Sequence, residues 1–131
     1  MTEGDYHAII ARQWMGKSRT ALKTADVLFK EKLLVGCVNR LYYAVFYAVS
    51  AALAKQGKEY GKHTAIRAAL HRDFVKPGLV PASCSKIYNR LFNDRQEGDY
   101  KPETTFKEDE IEELIDQTRQ FLDLFQQLVE K

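Results

Sequence analysis

The run Arg95-Gln96-Glu97-Gly98-Asp99-Tyr100 puts a guanidinium, two carboxylates and a phenol within six residues. Glycine frees the backbone among them, so the four groups can converge on one spot. An arginine in such a place can hold a phosphate through two parallel hydrogen bonds. The competing use of the same residues is structural: Arg95 pairs with Asp99 or Glu97 and fastens a loop. A second group is Lys62-His63, followed by Arg67 and His71 at helical steps. An imidazole beside a phosphate can act as acid or base near neutral pH; a histidine at a helix start can equally be a packed, hydrogen-bonded group. A third group is the strip Asn39, Arg40, Tyr43 and Tyr47, whose three- and four-residue spacings bring the side chains to one side of a helix.

The element carrying that strip is apolar in nearly every direction. From Gly36 to Leu53, Val38, Leu41, Tyr42, Val45, Phe46, Val49 and Leu53 fill a broad arc, and Ala44, Ala48 and Ala51 cover most of the opposite side. A helix apolar nearly all round is a buried one, and its alanine side admits a second helix at close range. Arg40 on this element cannot shed its charge, so it must be hydrogen-bonded or paired.

Four further helices are expected around it. The first starts at Asp5 as N-cap and runs to about Glu31, with Ile10, Trp14, Ser18, Ala21, Leu22, Ala25, Leu28 and Phe29 recurring at helical spacing. Leu33 to Gly36 reads as a tight connection. The buried helix ends near Gly57, before a polar loop to Gly61. A third helix opens near Lys62, has Ile66, Leu70 and Phe74 as its stripe, and stops at Lys76-Pro77-Gly78. Pro81 suits the first turn of a fourth helix, with Ile87, Leu91 and Phe92 inward, Lys86, Arg90 and Arg95 outward or on the rim, and a break at Gly98 to Pro102. Thr105 to Glu108 reads as a capping box for a last helix that buries Ile111, Leu114, Ile115, Thr118, Phe121, Leu122, Phe125, Leu128 and Val129. No stretch alternates with period two for long enough to form a strand. The expected architecture is all-α: one domain over residues 1–131, a compact antiparallel bundle of about five helices.

Composition narrows the function classes. The chain has 131 residues, 45% hydrophobic and 29% charged, with a net charge of +2. Residues 103–116 hold seven carboxylates against Lys107, a local charge of −6, which leaves +8 on the rest. A basic body of this kind suits an anionic ligand; the acidic run reads as a solvated helix start favoured by the helix dipole. Cys37 and Cys84 are too few for a disulfide framework and read as free, packed thiols. No cysteine–histidine cluster has metal spacing, so no metal site or cofactor is expected. There is no P-loop, dinucleotide-binding glycine turn, Ser/His/Asp arrangement or zinc-protease motif. The N-terminus lacks a signal pattern, and the longest uncharged run, Leu41 to Ala54, is shorter than a membrane span. A cytoplasmic protein with no membrane association is expected.

Taken together, Asn39-Arg40-Leu41-Tyr42-Tyr43-Ala44-Val45-Phe46 resembles the second-helix signature R-x-Y-Y-A-x-F of prokaryotic HEPN-domain proteins. Gly61-Lys62-His63 resembles the region that opens their third helix, with Lys and His adjacent here. Phe74 to Pro81 and Arg95 to Tyr100 resemble later landmarks in the same order, so the likeness spans about residues 10 to 129.

That resemblance implies a helical bundle, commonly a homodimer, often encoded beside a minimal nucleotidyltransferase (MNT) in toxin–antitoxin-like pairs. It also implies metal-independent ribonuclease activity in many members, through an Arg and a His four to six residues apart at a cleft between protomers. Carried to this chain, the Arg is Arg95, but the position after four residues is Tyr100 and no His follows. The first expectation is therefore a subunit that binds nucleotide or RNA phosphate around Arg95, with Arg40, Asn39, Tyr43, Lys62 and Asp99 as further contacts. The second is an active ribonuclease in which His63 supplies the imidazole beside Arg95 and Tyr100. The third is a non-catalytic helical adaptor in which Arg40 pairs with Asp99 or Glu97. In some HEPN toxins a tyrosine beside this motif is adenylylated by the partner, and Tyr100 is the matching position.

Overall fold

A computed structural model of the protein describes all 131 residues as α1 (Glu3–Lys30), α2 (Leu34–Lys55), α3 (His63–Ala69), α4 (Ser83–Tyr100) and α5 (Glu108–Glu130), without strands. Leu70–Val75 continue α3 as a π-helical turn. The all-α bundle of five helices expected from the sequence is the architecture found.

The bundle is assembled on α2. Its buried residues face α1, α4 and α5 in turn, and α1 makes the longest seam with it. That seam is built from small side chains. Ala11, Ala21 and Ala25 of α1 and Ala44, Ala48 and Ala51 of α2 are all buried. The Ser18 hydroxyl donates to the Ala44 carbonyl at 2.7 Å, a distance only two closely packed helices permit. By length and hydropathy α2 could cross a bilayer, but twelve of its residues are already buried by the other helices.

The boundaries depart from expectation in four places, each with a local cause. Thr2 is the N-cap of α1, and Asp5 is its reciprocal partner three residues on: each side chain accepts the other's backbone N–H at 3.1 Å. The connection from α1 to α2 is only Glu31 to Leu33, turned by Lys32 in the left-handed region at φ 59°; α2 starts before Gly36. The other end of α2 lies near Gly57 as expected: at φ 76°, Gly57 lets the Gly57 and Lys58 N–H groups reach back to Ala54 and Leu53 carbonyls, which closes the helix in a Schellman turn.

The consequential departure is at Gly98, where α4 does not break. It runs on to Tyr100 and ends before Pro102, with Lys101 extended as a residue preceding proline should be. A Cβ at position 98 would stand 3.2 Å from Val35 Cγ1 and 3.6 Å from Phe106. The glycine admits the start of α2 to the side of α4, and the residues around it stay helical. The capping box expected at Thr105 is also absent: Lys107 is the N-cap of α5 without a side-chain bond. Thr104, its neighbour, donates instead to the Glu97 carbonyl at 3.0 Å and ties the loop to α4.

Cys37 and Cys84 are free and buried. Burial pushes their thiols up to about 12 and about 11, so both stay protonated. The acidic run forms the exposed first turns of α5, where Glu108 meets Lys32 at 2.8 Å and Glu110 meets Arg90 at 3.6 Å.

The alanine seam has no room for larger side chains. Ala44→Leu should therefore cost about 1–3 kcal/mol through overpacking, against a near-neutral Ala68→Leu at an exposed helical position. Urea unfolding of the two variants measures the difference.

Candidate functional site

Two helices that cross at Gly98 bring the first and third residue groups together. Because α4 continues through Gly98, Arg95 and Asp99 are one turn apart and face α2. Arg95 was expected on the rim; its side chain is only 12% exposed. Its guanidinium carbon lies 4.7 Å from the centre of the Tyr42 ring and 5.7 Å from that of Tyr43. Its carboxylate contact is with Asp99, at 3.4 Å from Nη1, and its Nε is buried without a partner.

Arg40 approaches Tyr43 at 4.8 Å. Neither Asp99 nor Glu97 pairs with it, as an adaptor would require; its Nε and Nη2 donate to the Asn39 side-chain carbonyl at 3.1 and 2.9 Å. The Asn39 amide in turn donates to both Asp99 oxygens at 3.3 and 3.4 Å. Arg40, Asn39, Asp99 and Arg95 thus form a chain with one carboxylate for two guanidiniums, and both cations rest on Tyr43.

The second group joins from below. His63, the first residue of α3, places Nδ1 2.8 Å from the Tyr42 hydroxyl and stacks on Phe46 with ring centres 4.3 Å apart. Arg95 and His63 therefore both lean on Tyr42, one on its face and one at its hydroxyl. Burial, with the Arg95 charge behind it, lowers the His63 pKa, so the ring is neutral at pH 7. Burial raises the Tyr42 pKa and keeps the phenol protonated. When Tyr42 donates to Nδ1, Nε2 carries the ring proton; in the other tautomer, Nε2 offers a lone pair.

Lys62 stands exposed beside His63 as the N-cap of α3. Tyr100 is 76% exposed at the last residue of α4 and makes no side-chain hydrogen bond, so it stays outside the cluster.

Sequence reasoning gave Tyr42 a purely packing role. It is fully buried, as a core residue should be, yet it connects the imidazole to the guanidinium. Arg67, one turn after His63 on α3, lies over Phe92 at 4.7 Å and donates to Asn89 at 2.8 Å. The available signal was the Tyr-Tyr pair itself: adjacent positions on a helix point about 100° apart, so one can be core while the other faces the rim.

Comparison with known proteins identifies the family. The HEPN domain family matches residues 11–128, and the chain belongs to that family. A UPF0332 protein of Thermotoga maritima is 40% identical over 92% of each chain. Two proteins of Methanocaldococcus jannaschii, named "Putative toxin MJ0605" and "Putative toxin MJ0142", are 32% and 26% identical; the matches cover 78% and 81% of this chain and 75% and 72% of theirs.

The lowered His63 pKa has a defined consequence for stability. Native His63 resists protonation that the unfolded chain accepts at about 6.5. Its contribution is intact above that value and is lost as the pH falls from there through the lower native value. NMR titration of the three histidines should find His63 below 6.5, and Arg95→Gln should raise it.

Proposed function

We propose that this chain is the toxin-type HEPN subunit of a HEPN/nucleotidyltransferase pair and binds a nucleotide or RNA phosphate at Arg95. The observation that carries the reading is the incomplete pairing of a nearly buried guanidinium. Arg95 has one carboxylate at 3.4 Å and an unpartnered Nε, and Arg40 beside it has no carboxylate at all. A phosphate that displaced Asp99 would gain both cations, with Asn39 as a neutral donor between them. Lys62 would add charge at the edge. Tyr43 would form the floor on which both guanidiniums lie.

A second reading, metal-independent RNA cleavage, is favoured by the neutral imidazole next to Arg95. His63 would accept the ribose 2′-hydroxyl proton as that oxygen attacks the phosphorus held by Arg95; the P–O5′ bond breaks, leaving a 2′,3′-cyclic phosphate, and the 5′ oxygen takes its proton from water. Assembly as a homodimer, with the site near the protomer boundary, belongs to either reading.

Thermal denaturation tests binding. AMP or a short RNA at about a hundredfold excess over Kd should stabilise the protein by about 2.7 kcal/mol. Arg95→Ala should abolish that gain, and Asp99→Asn should strengthen binding by removing the competing carboxylate; an unchanged response in Arg95→Ala refutes the site. For cleavage, RNA incubated in EDTA should be cut by the protein and left intact by Arg95→Ala and His63→Ala. Tyr100, being exposed, should gain the mass of one AMP when the chain is incubated with its partner nucleotidyltransferase and ATP, and Tyr100→Phe should not.

A further inference from the structure

Phe46 has a second neighbourhood. The first half of α1, the end of α2 and the loop after α2 enclose a cleft of about 480 Å³, within the size range of small-molecule sites. Four aromatic rings line it: Tyr6, Trp14, Phe46 and Tyr60. Trp14 lies nearly parallel to Tyr47, with ring centres 5.6 Å apart. The Lys17 ammonium stands 5.3 Å from the Trp14 ring and 4.9 Å from that of Tyr47, and no carboxylate pairs with it. His7 is held against the loop: a Cβ on Gly57 would come within 2.8 Å of its Cε1.

We propose that this cleft receives a base of single-stranded RNA whose neighbouring phosphate lies at Arg95. The chemistry matches a base better than an aliphatic or a purely anionic group. Flat rings offer stacking faces that every base can use, an unpaired cation stands beside them, and single-stranded nucleic acid is bound by that combination. The cleft also shares a wall with the His63 end of the phosphate site. Phe46 lines it and stacks on His63, so a base on the cleft side of Phe46 and a phosphate beyond His63 are separated by one pair of rings. The proposal rests on the reading of Arg95 as a phosphate ligand, but the cleft can be tested without it.

Trp14 is the only tryptophan of the chain, so its fluorescence reports the cleft directly. The probes are adenosine, which has no phosphate, and a short 2′-O-methyl oligoadenylate, which resists cleavage. Both should quench Trp14 saturably, the oligonucleotide at lower concentration and with marked salt dependence. Tyr6→Ala and Lys17→Gln, both at exposed positions, should each weaken oligonucleotide binding at least about fivefold. Arg95→Ala should weaken the oligonucleotide and leave adenosine unchanged. Absence of adenosine quenching, or oligonucleotide affinity unaltered in both cleft variants, overturns the base site even where Arg95→Ala still acts. Cleft variants that weaken the oligonucleotide while Arg95→Ala does not would overturn the phosphate reading and its link to the cleft.

Discussion

The site depends on a guanidinium placed over a buried phenol. Taking an arginine out of water costs several kcal/mol, and the Tyr42 face returns only about 2 kcal/mol or somewhat more when desolvated. One carboxylate oxygen at 3.4 Å, on a residue that also serves Asn39, is a weak complement. The balance leaves Arg95 held in place but not neutralised. A group held this way is pre-organised for an incoming anion, because the aromatic support is already in place and only Asp99 must yield. A tight Arg95–Asp99 pair would have been steadier and less reactive.

The support itself comes from backbone proximity. α2 supplies Tyr42 and Tyr43 at fixed angles because its alanine seam locks it against α1, and Ser18 fixes the register at Ala44. α4 comes near enough to lay Arg95 on those rings because Gly98 lacks a Cβ where Val35 and Phe106 pass. α3 then needs only to begin at the right place for His63 to meet the Tyr42 hydroxyl. α3 contributes His63 and α4 contributes Arg95 and Asp99, and α2 is the common reference for them all.

This division explains which features could be read from the sequence. The buried character of α2 and its close-packed side follow from residue types at a 3.6-residue period, and both are local properties. The family likeness also rests on short contiguous runs such as Arg40 to Phe46. Gly98 was misread because glycine carries two meanings, freedom of the backbone and room for a neighbour, and the neighbour Val35 is 63 positions away in the chain. Arg95 was placed outward or on the rim because charged side chains usually lie there, and the aromatic face that covers it belongs to another helix. His63 beside Arg95 was an expectation of the ribonuclease reading, but the route between them was hidden, since it runs through a tyrosine whose own pattern says only that it is buried.

The resemblance implies, for many members, an imidazole a few residues after the arginine, and this chain has Tyr100 there instead. The exposed tyrosine is poorly suited to substitute, because it stands outside the cluster and no hydrogen bond orients its phenol. His63 differs: its environment keeps the ring neutral, and its ring nitrogen is held against Tyr42. In the proposed reading, acid–base capacity would sit at the start of α3 and the phosphate ligand on α4. The two meet on opposite parts of one aromatic side chain, so a change in the packing of Tyr42 would disturb both together, whereas a change at Tyr100 would disturb neither.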